Sequence, residues 1–369
     1  MQYVEVTEGE TKLKVPEGKI RSKRDPVFYN PVMEQSRDLS VAVARILRPS
    51  SYCDVLAGSG ARGIRIAREA GLGVVLNDLN PVACELASEN AGLNGVSVEV
   101  SNDDANHFLS DKKFDFVDVD PFGPPVRYLD AAIKALPKTG FLGVAATDTS
   151  CLCGTYPRAC KRKYDAASLR TDYYDELGLR ILLGFIARNA VRYDFGVNFL
   201  FSHSTRHYMR SYAKLSRGSK GVRETQDNVS FIQHCFSCLD KSYRRLTDLE
   251  RTCSCGGVLF TAGPLWAGRF ADGDFCGKLE AELSSGVFNT QRDSIVLVRK
   301  VSGEQGETKP YFDLHKLCRV AGVSAPKTSD FADSLGKSGF SFSKTHFCDT
   351  GFRTDACASD LSKLIKSFV

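Results

Sequence analysis

Through the first 150 residues, short apolar runs rich in β-branched and aromatic residues alternate with stretches whose apolar positions recur every three to four residues. The first pattern fits strands, the second helices buried along one face. Residues 3–15 alternate around Gly9 and predict two short strands. A helix follows over 32–47, a strand over 51–57, then a glycine-rich turn and a helix through Ala70. Strand 74–78, helix 81–93 and strands 96–100, 116–119 and 140–147 continue the series, which predicts a doubly wound α/β sheet. After a helix at 175–191, segments 195–201 and 208–215 read as a hairpin appended to that sheet. The first domain then closes near Gly218–Gly221, dividing the chain into 1–220 and 221–369. In the second part, 311–321 and 329–337 read as helices, 339–347 and 351–355 as a ribbon, and 358–368 as a last helix. That order suggests a winged-helix-like α+β module, with Lys344 and Arg353 on its ribbon. Gly303 to Lys309 reads as a flexible loop.

In open α/β sheets ligands bind beyond the carboxyl ends of the strands, and the polar residues cluster there. In Phe114–Pro125, FDFVDVDPFGPP, Pro121 cannot donate to a sheet ladder. The strand therefore stops, and Asp120 leaves the sheet beside a stiff turn. Its carboxylate and the Pro121 carbonyl can accept hydrogen bonds from an exocyclic amine while Phe122 lies on a flat base. A strand-ending Asp can also simply cap a helix. Gly58-Ser59-Gly60-Ala61-Arg62-Gly63 fits the G-x-G-x-x-G turn shared by nicotinamide dinucleotide and S-adenosylmethionine sites. Asp78 ends the next strand about 20 residues later, the spacing of a ribose-binding carboxylate. At Asp104-Ala105, a carboxylate beside a backbone N–H can read adenine. The loop Asp25–Pro31 is either an ordinary linker or a lid that brings Phe28 or Tyr29 over a base.

Composition narrows the class. Lys and Arg exceed Asp and Glu by 49 − 44 = 5, which permits a nucleic-acid partner without requiring one. The N-terminus lacks an apolar signal core and the longest greasy run, Ile181–Ala187, is too short to span a bilayer, so a soluble cytoplasmic protein with no membrane partner is expected. Thirteen cysteines then argue for metal ligands and buried thiols, not disulfides. Cys235-x2-Cys238, fourteen residues, and Cys253-x-Cys255-Gly256-Gly257 fit a structural zinc knuckle or a set of free thiols. The second pair has one intervening residue where two are usual. Four cysteine ligands leave no open position, so such an ion holds the fold and does not catalyse. Arg158 and Lys161–Lys163 form a basic contact surface or a solvated face. None of the six histidines sits at a triad-like spacing.

With these features in hand, the chain resembles the tRNA guanine-26 N2-dimethyltransferases over essentially its whole length. The resemblance rests on RDPVFYNPVMEQSRDLS (24–40), DVLAGSGARGIR (54–65), DPFGPP (120–125), the paired cysteines and SKTHFCDTGFRTDA (343–356). It implies a Rossmann-like class I methyltransferase domain and a C-terminal tRNA-recognition domain. It further implies that Arg37 and Arg62 bind the carboxylate of S-adenosylmethionine, Asp78 its ribose, and Asp104 with Ala105 its adenine. Asp120 is then the catalytic carboxylate, Phe28 and Phe122 hold the base, tRNA is the partner, and no obligate protein partner is implied. Other readings are a methyltransferase for another exocyclic amine (guanine 10 N2 or adenine N6), an NAD-dependent dehydrogenase, and an RNA-binding protein with a vestigial core.

Overall fold

The computed structural model describes residues 2–17, 27–304, 306 and 309–368. The basic cluster Lys19–Arg24 lies outside them. β1 (Tyr3–Glu8) and β2 (Thr11–Pro16) pair antiparallel, Tyr3 opposite Pro16. Then come α1 (Glu34–Leu47), β3 (Tyr52–Asp54) and α2 (Ala61–Arg65), which runs on as a π-helical turn through Ile66–Ala70. β4 (Val74–Asn77), α3 (Pro81–Leu93), β5 (Glu99–Ser101), α4 (Ala105–Leu109), β6 (Phe116–Val119), α5 (Leu129–Lys134) and β7 (Thr139–Ala146) complete the alternating half. Two short helices, α6 (Thr149–Leu152) and α7 (Pro157–Tyr164), occupy the cysteine- and arginine-rich stretch. They lead to α8 (Tyr174–Val191), the long hairpin β8 (Phe195–Thr205) and β9 (Tyr208–Arg217), and α9 (Ser219–Asp227).

The main sheet has seven strands in the order β5-β4-β3-β6-β7-β9-β8, and β3 to β7 run parallel. β9 is inserted antiparallel against β7, leaving β8 at the edge. β6 is buried on both faces, which explains its unbroken apolar run around Asp118. Strand order reverses at β3, between β4 and β6, so the crevice opens beyond those three strands. Gly63 lets α2 lie against the sheet: a Cβ there would meet the Leu76 side chain at 2.2 Å.

β10 (Val229–Cys235), β11 (Lys241–Arg244) and β12 (Leu259–Trp266) form an antiparallel sheet in the order β11-β10-β12. β12 lies directly on α8, where a Cβ on Gly184 would come within 2.7 Å of the Leu265 backbone. Helices α10 (Gly273–Ser285) and α11 (Gln291–Gly303) pack against α1, and Thr290 donates to Asp38 through both N and Oγ1. Leu279, Leu283 and Val298 therefore share one hydrophobic core with Leu39 and Val43, and this core runs across residue 220. A separate core gathers Phe312, Leu317, Phe331, Phe352, Leu361 and Ile365. It belongs to β13 (Phe312–Asp313), α12 (Leu314–Ala321), α13 (Thr328–Lys337), β14 (Ser343–Lys344), β15 (Gly351–Arg353) and α14 (Ala358–Lys366).

The structure corrects two expectations here. The helix expected from 311 begins only at Leu314, because Phe312 pairs with Phe352 in a sheet and Asp313 caps α12 by accepting from Lys316 N. Arg353 lies on the ribbon as expected, at the end of β15, and is buried there between Glu304 and Glu176. Glu304, inside the segment expected to be flexible, is only 1 % exposed.

Candidate active site and zinc knuckle

The crevice beyond β3, β4 and β6 is a cavity of about 870 Å³. Phe28, Arg37, Arg62, Asp78, Asp120 and Phe122 all line it. Asp104 and Ala105 do not. Asp104 caps α4, accepting from Asn106 N (3.0 Å) and His107 N (3.4 Å), and Ala105 is buried as the first residue of that helix.

Asp78 follows β4 and ties the crevice together. One of its oxygens accepts from Gly58 N at 2.8 Å, the other from Asn80 N at 2.9 Å. Gly60 takes φ +76°, and a Cβ there would lie 2.7 Å from Ile64 and 3.0 Å from Ala87, so the turn demands glycine. On one wall, Glu8 of β1 accepts both Arg37 Nε (2.7 Å) and Nη2 (2.5 Å), and also the Tyr29 hydroxyl (2.6 Å). Burial pushes the Glu8 carboxyl up, yet the Arg37 hydrogen bonds and charge hold it below its ordinary value. The Tyr29 hydroxyl is thereby tied to Glu8, while Phe28 and Tyr29 both line the cavity.

On the opposite wall, Arg62 of α2 forms an ion pair with Asp120 and donates to Ser40 Oγ at 2.5 Å. Below it, Asp118 accepts two bonds from Arg210 (2.7 and 2.5 Å) and one from the Tyr52 hydroxyl (2.5 Å). Although burial opposes it, Arg210 and Arg62 hold Asp118 ionised, below the usual carboxylate range. Asp54, at the end of β3, also lines the cavity; burial and the Asp118 charge push its carboxyl well up. The Asp-Pro-Phe-Gly turn is pinned to the end of β7, where Gly123 N donates to Thr147 Oγ1 (2.7 Å) and Thr147 N to Gly123 O (3.1 Å). Above the turn, Phe28 and Phe122 meet edge to face, their centroids 4.3 Å apart. A planar base can enter by taking the place of that contact.

Sequence reasoning missed Glu8, Ser40, Asp54, Asp118 and Arg210. Two of them carried a signal. Asp118 and Arg210 are charges in the middle of buried strands, which is tolerable only if each neutralises the other. The glycine turn, the Asp78 carboxylate and two guanidinium groups around one large cavity fit a nucleoside that ends in an amino acid. In such a ligand, Asp78 suits the ribose hydroxyls and Arg37 with Arg62 the carboxylate.

The four cysteines converge at the far end of β10. Their sulfurs all lie within 4.8 Å of one another, with Cys235–Cys255 at 3.5 Å and Cys238–Cys253 at 3.7 Å. Zn–S bonds of about 2.3 Å in a tetrahedron set sulfurs about 3.8 Å apart, so this set is compatible with structural zinc. The Cys-x-Cys variant closes because Gly256 takes φ +86° and because a Cβ on Gly257 would crowd Cys235 Sγ at 2.9 Å. Burial pushes the Cys235 thiol up, but the backbone N–H groups of Cys238 and Ser237 more than offset it, lowering the pKa and favouring thiolate. Metal analysis is expected to find about one zinc per chain, and chelation should lower the melting temperature. No zinc in freshly purified protein would make these free thiols.

The N2,N2-dimethylguanosine tRNA methyltransferase family model matches residues 9–366. A tRNA (guanine(26)-N(2))-dimethyltransferase of Methanothermobacter thermautotrophicus is 39% identical over 373 residues, covering 98% of both chains. That of Methanosphaera stadtmanae is 41% identical, covering 98% of this chain and 96% of its own. Among solved structures, Trm1 from Pyrococcus horikoshii in complex with S-adenosyl-L-methionine superposes with a TM-score of 0.89 at 31% identity, covering 98% of this chain and 99% of that one. The match thus takes in the glycine turn, the Asp120 turn, the four cysteines and the C-terminal ribbon together, and the chain belongs to the N2,N2-dimethylguanosine tRNA methyltransferase family.

Proposed function

We propose that this protein transfers one and then two methyl groups from S-adenosylmethionine to the exocyclic N2 of guanine 26 in tRNA. The observation that carries the reading is the Asp120 carboxylate, held at the rim of the cavity that also contains the glycine turn and Asp78. The dehydrogenase alternative has no support in the family. Among the described residues no helix is long and apolar enough to cross a membrane, and a tRNA substrate suits work in the cytoplasm.

Guanine N2 is a weak nucleophile because its lone pair is delocalised into the ring. S-adenosylmethionine, when bound, supplies a methyl group on a positively charged sulfur. The protein's part is positioning and charge. Asp120 accepts one N2–H hydrogen bond, localising the lone pair, stabilises the positive charge that grows on nitrogen and takes up the proton that the methylated nitrogen must shed. The Pro121 carbonyl accepts the other N2–H. Phe28 and Phe122 hold the base plane. Guanine 26 is stacked in folded tRNA and must be drawn out, at a cost of a few kcal/mol. Residues 221–369 and the basic residues 19–24 supply backbone contacts that offset it.

Incubation with tRNA and cofactor, followed by nuclease digestion and mass spectrometry, is expected to yield N2-methyl- and then N2,N2-dimethylguanosine from position 26. A tRNA carrying adenine there should give neither. Methylation elsewhere with position 26 untouched would refute this assignment.

A further inference from the structure

A second cavity, of about 350 Å³, shares Arg206 with the first. The start of α1 and the turn before it separate the two: Val32, Met33 and Arg37 face the first, Gln35 the second. Gln35 is only 7 % exposed, and its side-chain amide makes no hydrogen bond among the described residues. That amide keeps contact with the solvent of the cavity, so a ligand entering there can take the place of water on it without changing the free protein's stability. An amide that offers donor and acceptor side by side matches the edge of a nucleobase.

The remaining walls fit the same ligand. Phe347 supplies an aromatic ring, and Lys300 a cation. Asp293 offers a carboxylate that suits exocyclic amino groups and discourages a free anion. Arg206 opens the two-residue link between β8 and β9 at φ +55°, a conformation that such links normally assign to glycine. Its guanidinium donates to Val32 O at 3.1 Å, on the segment that separates the cavities. A cation placed between the two cavities suits the phosphate joining two successive nucleotides.

Resting on the function proposed above, we infer that the second cavity holds the base of the nucleotide next to guanine 26, drawn from the stack along with it. Two neighbouring bases then leave the helix together, and the second pocket offsets part of the unstacking cost.

The test uses tRNAs carrying 2-aminopurine at position 26 or at either neighbouring position, bound to the full-length protein with S-adenosylhomocysteine. Emission should rise at position 26 and at one neighbour. Val296 sits exposed on the lip of the second cavity. Val296→Trp, which fills the cavity, should abolish the neighbour's signal and raise KM for tRNA about tenfold, as expected for one lost stacked base. Gln35→Ala should raise KM in the same direction, and in both variants cofactor affinity and melting temperature should stay unchanged. A rise at position 26 alone, or wild-type KM in both variants, would overturn the second pocket and leave the methyl-transfer reading standing. No rise at position 26 would overturn both.

Discussion

Replacing Asp120 by alanine is expected to lower kcat for methyl transfer by about 10²–10⁴-fold, the range for loss of a positioned proton acceptor. The cofactor should still bind, because Asp78 and the glycine turn are untouched and Arg62 keeps its bond to Ser40. Affinity is expected to rise: with Asp120 gone, Arg62 loses its nearest carboxylate, keeps only Asp118 at 3.9 Å, and can turn to a ligand carboxylate. Asp120→Asn separates two contributions. Its amide oxygen can still accept an N2–H bond but carries no charge to stabilise the growing cation. If Asn restores full turnover, the carboxylate's charge is irrelevant and Asp120 acts only by orientation. If both variants turn over like wild type, Asp120 is not the catalytic group. Single-turnover methylation combined with calorimetric titration of the cofactor distinguishes these outcomes.

What the sequence reveals about this site is local. Asp120 is legible because a proline stops its strand one residue later. Asp78 is legible because a short apolar run ends on it at a fixed distance from the glycines. Both statements need fewer than 25 residues of chain. The pairings that hold the site are not local: Arg62 meets Asp120 across 58 residues, Arg37 meets Glu8 across 29, and Arg210 meets Asp118 across 92. No periodicity encodes such partners. The place of β9 between β7 and β8 is hidden for the same reason, since a hairpin can join a sheet by either strand. Asp104 shows the reverse difficulty. Its position after a strand suits adenine binding and helix capping equally, and in this structure its carboxylate accepts from two amides of α4. The four cysteines were legible despite the irregular second pair, because glycines after Cys255 give the turn the freedom that the missing residue would have supplied.

Glu304 is where local reading fails most, and its loss should be the most damaging to stability. Lying in a polar stretch, it looks like loop. In the fold it accepts from Thr345 Oγ1 (2.6 Å), Arg353 Nε (2.8 Å) and His346 N (2.9 Å). Ser204 N donates to His346 Nε2, so His346 Nδ1 carries the proton and donates to Glu304 at 2.5 Å. Arg353 continues to Glu176 of α8, and Glu176 to Arg180 at 2.8 Å. The Thr-His-Phe and Arg-Thr-Asp residues that mark the family by resemblance are thus the bolt joining the C-terminal ribbon to the methyltransferase helices. Glu304→Ala is expected to cost about 3–5 kcal/mol, the range for breaking a buried ion pair from one side, measured as the urea midpoint. Burial pushes the Glu304 carboxyl up, but the His346 and Arg353 partners outweigh it and bring it down to about 2 from 4.5. A lowered acid contributes its stability above the unfolded pKa and loses it as pH falls from there through the folded value. The wild type should therefore lose stability between about pH 4.5 and 2, and the variant should lose less over that window. Equal acid sensitivity in the two proteins, or a cost below about 1 kcal/mol, the level of an exposed pair, would mean that Glu304 is not the residue clamping the two parts together.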